Sequence, residues 1–178
     1  MANVYLLTGN PGAGKTTLIR QAVARLKVKT GGFYTQEIRV GGIRQGFKIT
    51  TITGREAILS YVDISSPHRV SKYCVDVDSL DRVGVAAIHH AITECAVIII
   101  DEIGKMELFS PRFREAVLKA MESGKKVLGT IMLNPSPFAD QIKKHPQVRL
   151  IRVSRANHDQ VFTEIMRWLQ QGDDENNP

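Results

Sequence analysis

The chain has 178 residues, enough for one well-buried domain and too few for two of ordinary size, with 43% hydrophobic and 24% charged residues. No apolar run approaches the ~20 residues that span a bilayer, and the start lacks a secretory pattern, so a membrane role is excluded and the cytoplasm is the expected compartment. The net charge of +6 favours polyanionic partners. No aromatic-interleaved RNA-binding pattern or helix-turn-helix accompanies it, however, so a solvated basic face is favoured over a nucleic-acid groove.

Residues 2–8 read as a strand, an apolar stretch ending at Thr8. Residues 9–16 read GNPGAGKT, matching the G-x-x-x-x-G-K-[ST] phosphate-binding pattern. Apolar residues then recur at helical spacing to Leu26. Strand, glycine loop and helix in that order are the context in which this loop binds a nucleoside polyphosphate. Gly9, Gly12 and Gly14 permit backbone angles that a Cβ forbids, so that the amides of the loop point inward as a nest for phosphate oxygens. Pro11 limits the freedom of the loop before binding. The helix begins at the nest and adds its unpaired N–H groups and positive dipole end. Gly9, Asn10, Pro11, Gly12, Ala13, Gly14, Lys15, Thr16 and Thr17 therefore form the candidate nucleotide-binding set. Within it, Lys15 is read as the contact to the β- and γ-phosphates, and Thr16 as a hydroxyl ligand of Mg²⁺.

The next segments read as strand, glycine turn and strand: residues 31–39, then Gly41-Gly42, then 45–53. An antiparallel hairpin inserted into, or lying at the edge of, a parallel sheet is expected. Residues 55–71 carry no clear periodicity, and 65–68 read as a loop. A helix is expected over 78–94, with His89 and His90 near its end placed to favour the dipole rather than to bind a ligand. Cys74 and Cys95 stand far apart in apolar surroundings and read as core thiols, not as a metal site or a disulfide.

Val97-Ile98-Ile99-Ile100 is a continuous β-branched run, expected as a central parallel strand covered on both faces. It ends at Asp101-Glu102. In open α/β sheets the ligand sits beyond the carboxyl ends of the strands, which places Asp101 near Thr16, bonded to the metal through a water. Glu102, one residue on, is a candidate to orient an attacking water or accept its proton. Lys105 either touches the phosphates or pairs with Glu102 or Glu107. Arg39, Arg44 and Arg112 are candidate finger arginines, with a structural or solvated role the plainer reading. Thr130 ends the strand expected beside that of Asp101, as a γ-phosphate sensor or a cap. A helix over 111–122, a strand over 125–132, a short helix over 138–144, a strand over 148–153 and a helix over 157–170 complete the alternation. In the last helix Trp168 reads as core. A single domain over residues 1–171 with a polar tail over 172–178 is expected, built as a doubly wound sheet with right-handed crossovers.

The segment DEIGKMELFS, from Asp101 to Ser110, closely resembles the signature of the small nucleoside-triphosphatase family first described from thermophiles, which has a human, cancer-related member. The GxPGxGKTTL opening, the stretch from Gly32 to Arg39, and Gly46-Phe47 after Arg44 agree with it. The similarity spans nearly the whole chain and is weakest between residues 55 and 75. The resemblance implies an α/β P-loop NTPase fold: a mainly parallel, doubly wound sheet of the class with an added catalytic glutamate, related to RecA-type ATPases and small kinases, plus the hairpin insertion. It implies slow hydrolysis of ATP, GTP and other nucleoside triphosphates to diphosphate and phosphate with Mg²⁺. By position it makes Glu102 the water-activating carboxylate, Asp101 the metal residue, and Lys15 and Thr16 the phosphate and magnesium contacts.

Two departures stand out. Gln36 occupies a position where the family commonly has glutamate, and residues 154–159 follow a Thr-x-Glu-Asn-Arg-Asp pattern only in part, with Ala156 and His158 changed. That loop bears on base preference, and Asn157 is the candidate base contact. Hydrolysis by a monomer is the first reading. A small kinase acting on a nucleoside, metabolite or RNA hydroxyl is the second, although no Arg-rich lid is visible. A nucleotide-dependent interaction protein is the third.

Overall fold

In the computed structural model, which describes residues 1–171, nine strands form one sheet. β1 (Val4–Thr8) runs through the glycine loop into α1 (Lys15–Arg25). Five strands follow: β2 (Thr30–Val40), β3 (Ile43–Thr51), β4 (Glu56–Tyr61), β5 (Arg69–Val70) and β6 (Tyr73–Val75). The helix expected over 78–94 is a continuous helical stretch in three parts: α2 (Val77–Ser79), a π-helical turn at Leu80–Val85, and α3 (Ala86–Glu94). Then come β7 (Val97–Ile103), a 3₁₀ turn at Glu107–Phe109, α4 (Pro111–Glu122), β8 (Lys126–Ile131) and α5 (Pro137–Lys143). β9 (Val148–Arg152), a 3₁₀ turn at Arg155–Asn157 and α6 (His158–Gln170) complete the element order. The polar tail expected over 172–178 lies outside the described residues.

The sheet order is β5-β6-β4-β3-β2-β7-β8-β1-β9. From β2 to β9 every neighbouring pair is parallel. β8 lies between β1 and β7, so the glycine loop and the acidic pair leave the same edge of the sheet with one strand between them. The β-branched run of β7 explains its central place, because its side chains alternate between two cores. Val97 and Ile99 enter the core beneath α1 and α6 with Leu18, Ile19 and Val161, while Ile98 and Ile100 face the other core with Ile88 and Phe113. Trp168 is 3% exposed, stacks on Tyr5 at 3.9 Å, and donates its ring N–H to the Ala2 carbonyl, which makes it a core residue. Cys74 and Cys95 are buried free thiols. Pro111 opens α4, whose N-cap Ser110 accepts from the Phe113 amide at 3.0 Å. No helix among the described residues is long and apolar enough to cross a membrane.

The expected hairpin is present, and it is more than a hairpin. β2 is shared: Thr30 to Phe33 pair with β7 in parallel, and Phe33 to Val40 pair with β3 in antiparallel. Gly41 and Gly42, both with positive φ (57° and 77°), make the two-residue turn. Beyond β3, the antiparallel strands β4, β6 and β5 extend the sheet through the stretch that showed no periodicity. β6 and β5 have three and two residues, too short to display a period of two, and the six residues of β4 do not alternate in burial.

Candidate active site

The glycine loop is shaped by pressure from its neighbours. A Cβ on Gly9 would sit 2.5 Å from the Val153 carbonyl oxygen, and one on Gly14 would meet the His158 ring at 3.0 Å. Both glycines also hold positive φ (153° and 90°), so substitution is opposed twice. The β9–α6 connection thus packs directly against the loop. The Ala13 amide donates to the Asn10 carbonyl at 3.1 Å and closes the turn. Lys15 Nζ donates to the carbonyls of Gly9 and Asn10 at 2.9 and 3.0 Å, bridging the loop while lining the cleft above it. No side chain among the described residues caps α1 at Gly14, so its first N–H groups are available to an anion. Gly9, Asn10, Pro11, Gly12, Lys15 and Thr16 line the cleft. Ala13 is buried and Thr17 faces solvent outside it.

β7 does not end at Ile100 as its composition indicates. It continues to Ile103, with a register slip against β8 between Ile100 and Ile103 that carries Asp101 and Glu102. A bulge of this kind re-aims side chains locally, and here both carboxylates reach the cleft. Thr35 donates its hydroxyl to the Asp101 carbonyl at 2.7 Å and anchors this point to β2. Thr130 donates to Asp101 Oδ1 at 2.6 Å. Asp101 is 3% exposed, and its Oδ2 has no hydrogen-bond partner among the described residues. Burial pushes its pKa up, and the Thr130 and Thr16 hydroxyls and the charges of Arg20 and Lys15 pull it back. A buried, unpartnered carboxylate oxygen beside a threonine hydroxyl is oxygen-donor chemistry that fits Mg²⁺, which prefers few protein ligands plus water and phosphate.

Glu102 is pushed above the ordinary carboxylate range by burial, then by the charge of Asp101, with Lys15 opposing. A Cβ on Gly104 would collide with Glu102 Oε1 and lie 2.9 Å from Glu107 Oε2. Gly104 thus leaves room for both carboxylates to approach the same point. Glu107 is 2% exposed, its Oε2 lacks a partner among the described residues, and burial followed by Glu102 pushes it well above its ordinary range.

The remaining expectations separate. Lys105 is exposed, lines the cleft, and makes no ion pair among the described residues. Arg44 lines the cleft but is held by Glu37 at 3.0 Å and by the Tyr73 hydroxyl at 2.8 Å. Arg39 is bound to Glu37 and the Gly42 carbonyl, and Arg112 is exposed on α4; neither lines the cleft. Gln36, read with its amide oxygen toward Arg20, accepts from both guanidinium nitrogens at 3.2 and 2.7 Å, the role a glutamate would fill there. Asn157 Oδ1 accepts from the Ser154 amide at 2.8 Å and its Nδ2 donates to the Arg152 carbonyl at 2.8 Å, closing the turn before α6. It does not line the cleft.

Several residues of the cleft were not anticipated. Thr35 was hidden inside a strand pattern. For Glu107 the available signal is a lone carboxylate among Met106, Leu108 and Phe109, a pattern of burial or function. Phe47, Leu59 and Val70 wall the cleft from the antiparallel extension, and Met132 to Asn134 do so from the β8–α5 connection.

Comparisons with known proteins identify the family. A family profile described as NTPase matches residues 4–166. A nucleoside-triphosphatase THEP1 of Thermotoga sp. (strain RQ2) is 46% identical, over 93% of this chain and 94% of that protein. The cancer-related nucleoside-triphosphatase of Homo sapiens is 37% identical, over 96% and 98%. The crystal structure of THEP1 from the hyperthermophile Aquifex aeolicus superposes with a TM-score of 0.87 at 36% identity, covering 94% of this chain and 99% of that one. With its glycine loop and acidic pair brought to one edge of the same fold, this chain belongs to the NTPase family.

Proposed function

We propose that this chain hydrolyses the terminal phosphate of ATP, GTP and other nucleoside triphosphates with Mg²⁺, with little base preference and slow turnover. One observation carries the reading: Lys15 and Thr16 on one side, and Asp101 and Glu102 on the other, open into a single cleft of about 600 Å³. The loop amides and Lys15 receive the phosphates, and Thr16 and Asp101 would hold Mg²⁺. When bound, that ion supplies positive charge to the phosphate oxygens. Glu102 orients a water and takes its proton as the water oxygen bonds to the γ-phosphorus and the bond to the diphosphate breaks. Slow turnover follows from the captive arginines, because Arg39 and Arg44 are engaged by Glu37 and no free guanidinium among the cleft residues meets the spreading charge. Weak base preference follows from Asn157, whose amide is used up in its own turn.

Glu102→Gln tests the assignment. Phosphate release should fall about 100-fold or more, while a non-hydrolysable triphosphate analogue binds with unchanged affinity. Turnover at the original rate would remove Glu102 from the mechanism.

A further inference from the structure

We infer that the outer part of the cleft is a subsite for a small phosphomonoester with a flat ring, a nucleoside monophosphate in chemistry, whose free hydroxyl accepts the γ-phosphoryl group in place of water. The inference rests on the hydrolytic reading above, because it uses the same loop and the same Glu102.

Topology supplies the placement. The sheet order puts β7, with its acidic pair, between the glycine loop on β1 and the strands β2 and β3 on the other side. A second depression of about 600 Å³ opens beyond β7 and shares Arg44, Phe47, Val70 and Met106 with the first. In the sheet order the end of β7, which carries Glu102, stands between strands β2 and β3 and the phosphate loop. The two depressions are continuous through those shared residues, so a ligand in the outer one opens toward the phosphate loop.

The lining has the chemistry of an anion site. Arg39, Arg44 and Lys72 line the outer depression, and no carboxylate does among the described residues. One carboxylate, Glu37, is shared by both arginines at 2.7 and 3.0 Å, so positive charge remains for a ligand. Arg44 is also held in place. Its guanidinium lies 5.2 and 5.6 Å from the ring centres of Phe47 and Tyr73, which meet edge-to-face at 5.4 Å, and its Nε donates to the Tyr73 hydroxyl. A planar cation fixed on an aromatic floor keeps its second terminal nitrogen and its outer face for a ligand, and its ordering cost is already met by the fold. Lys72, 5.5 Å from the Tyr73 ring centre, adds a mobile charge at the rim. The outer face of the Arg44 guanidinium and the apolar Val70 and Met106 favour a nucleoside monophosphate over a sugar phosphate. At the inner end, the buried Glu107 Oε2 lacks the hydrogen-bond partner that an acceptor hydroxyl would supply.

In the transfer, the acceptor oxygen bonds to the γ-phosphorus as the bond to the bridging oxygen of the diphosphate breaks. The hydroxyl proton passes to the Glu102 carboxylate. The products are a nucleoside diphosphate and the phosphorylated acceptor.

The test incubates the full chain with γ-labelled ATP, Mg²⁺ and, separately, 5′- and 3′-nucleoside monophosphates and sugar monophosphates, resolving labelled products from free phosphate. Calorimetry measures the binding of each. At least one nucleoside monophosphate should bind and take up label. Lys72→Glu, at an exposed position outside the phosphate cleft, should weaken that binding about tenfold or more and leave phosphate release from ATP alone unchanged. Label in sugar monophosphates alone would overturn the flat-ring assignment. Label confined to free phosphate with every compound would overturn the acceptor role, and binding indifferent to Lys72→Glu would overturn the location. Persistent hydrolysis of ATP in those reactions leaves the hydrolytic reading standing, whereas an undiminished rate in Glu102→Gln removes that reading instead.

Discussion

The parallel strands around β1, β8 and β7 and the antiparallel strands from β3 to β6 build opposite walls of one cleft by different physics. In the parallel half, both faces of each central strand are covered by helices. Polar groups can therefore appear only where the strands end, and there they are concentrated and desolvated: Asp101, Thr130 and Glu107 are each 3% exposed or less. In the extension one face is open to solvent, and its charged groups are largely exposed and paired, as in Arg44–Glu37 and Lys48–Glu56. Charges of the first kind act strongly because little water screens them, whereas those of the second act through number and placement. The parallel half concentrates desolvated carboxylates at the cleft, and the extension gives its outer wall exposed, paired charges.

Substitutions can break or sharpen that contrast. Lys15→Ala has the largest expected effect of those placed in the loop: removing a charged donor from a phosphate site should lower turnover about 100- to 1000-fold and weaken triphosphate binding as well, measured by phosphate release and by analogue titration. Normal binding in that variant would dissolve the contrast at its strongest point. Thr130→Val strips Asp101 Oδ1 of its donor, and a buried acceptor left unpaired should cost about 1–3 kcal/mol in denaturant unfolding. A cost near zero would show that Asp101 does not depend on the desolvated shell.

Glu107→Gln should change the pH dependence of stability more than stability itself. In the unfolded chain this carboxyl titrates in the ordinary range, and in the folded protein it is held well above it. The native state therefore binds more protons between those two values, and stability present at low pH is lost as pH rises through that interval. The glutamine variant should lose that decline and gain most over the parent at pH 8 relative to pH 5, by thermal or urea unfolding. An identical slope in both proteins would mean that Glu107 ionises freely.

The legibility of the chain follows the same division. The glycine loop, the β7 run and the α6 face were readable because each combines a local requirement with a period: glycines at positive φ, unbroken β-branching, and Val161, Ile165, Trp168 and Leu169 on one stripe. The end of β7 was not, since a bulge at Asp101-Glu102 depends on the register of β8 rather than on its own residues. Nor were β5 and β6, whose two and three residues form strands only because neighbours pair with them. Asn157, placed near the base by its position in the chain, spends its amide within its own turn.

By itself the sequence determined the phosphate-binding loop and which carboxylates follow the central strand, because a phosphate nest and a doubly buried strand are local in the chain. Tertiary structure alone decided that Glu107 joins Glu102 across Gly104, that Glu37 restrains both Arg39 and Arg44, and that Phe47 and Tyr73 carry Arg44 at the mouth of the cleft. Burial and charge pairing are set by residues distant in sequence, and no local pattern encodes them.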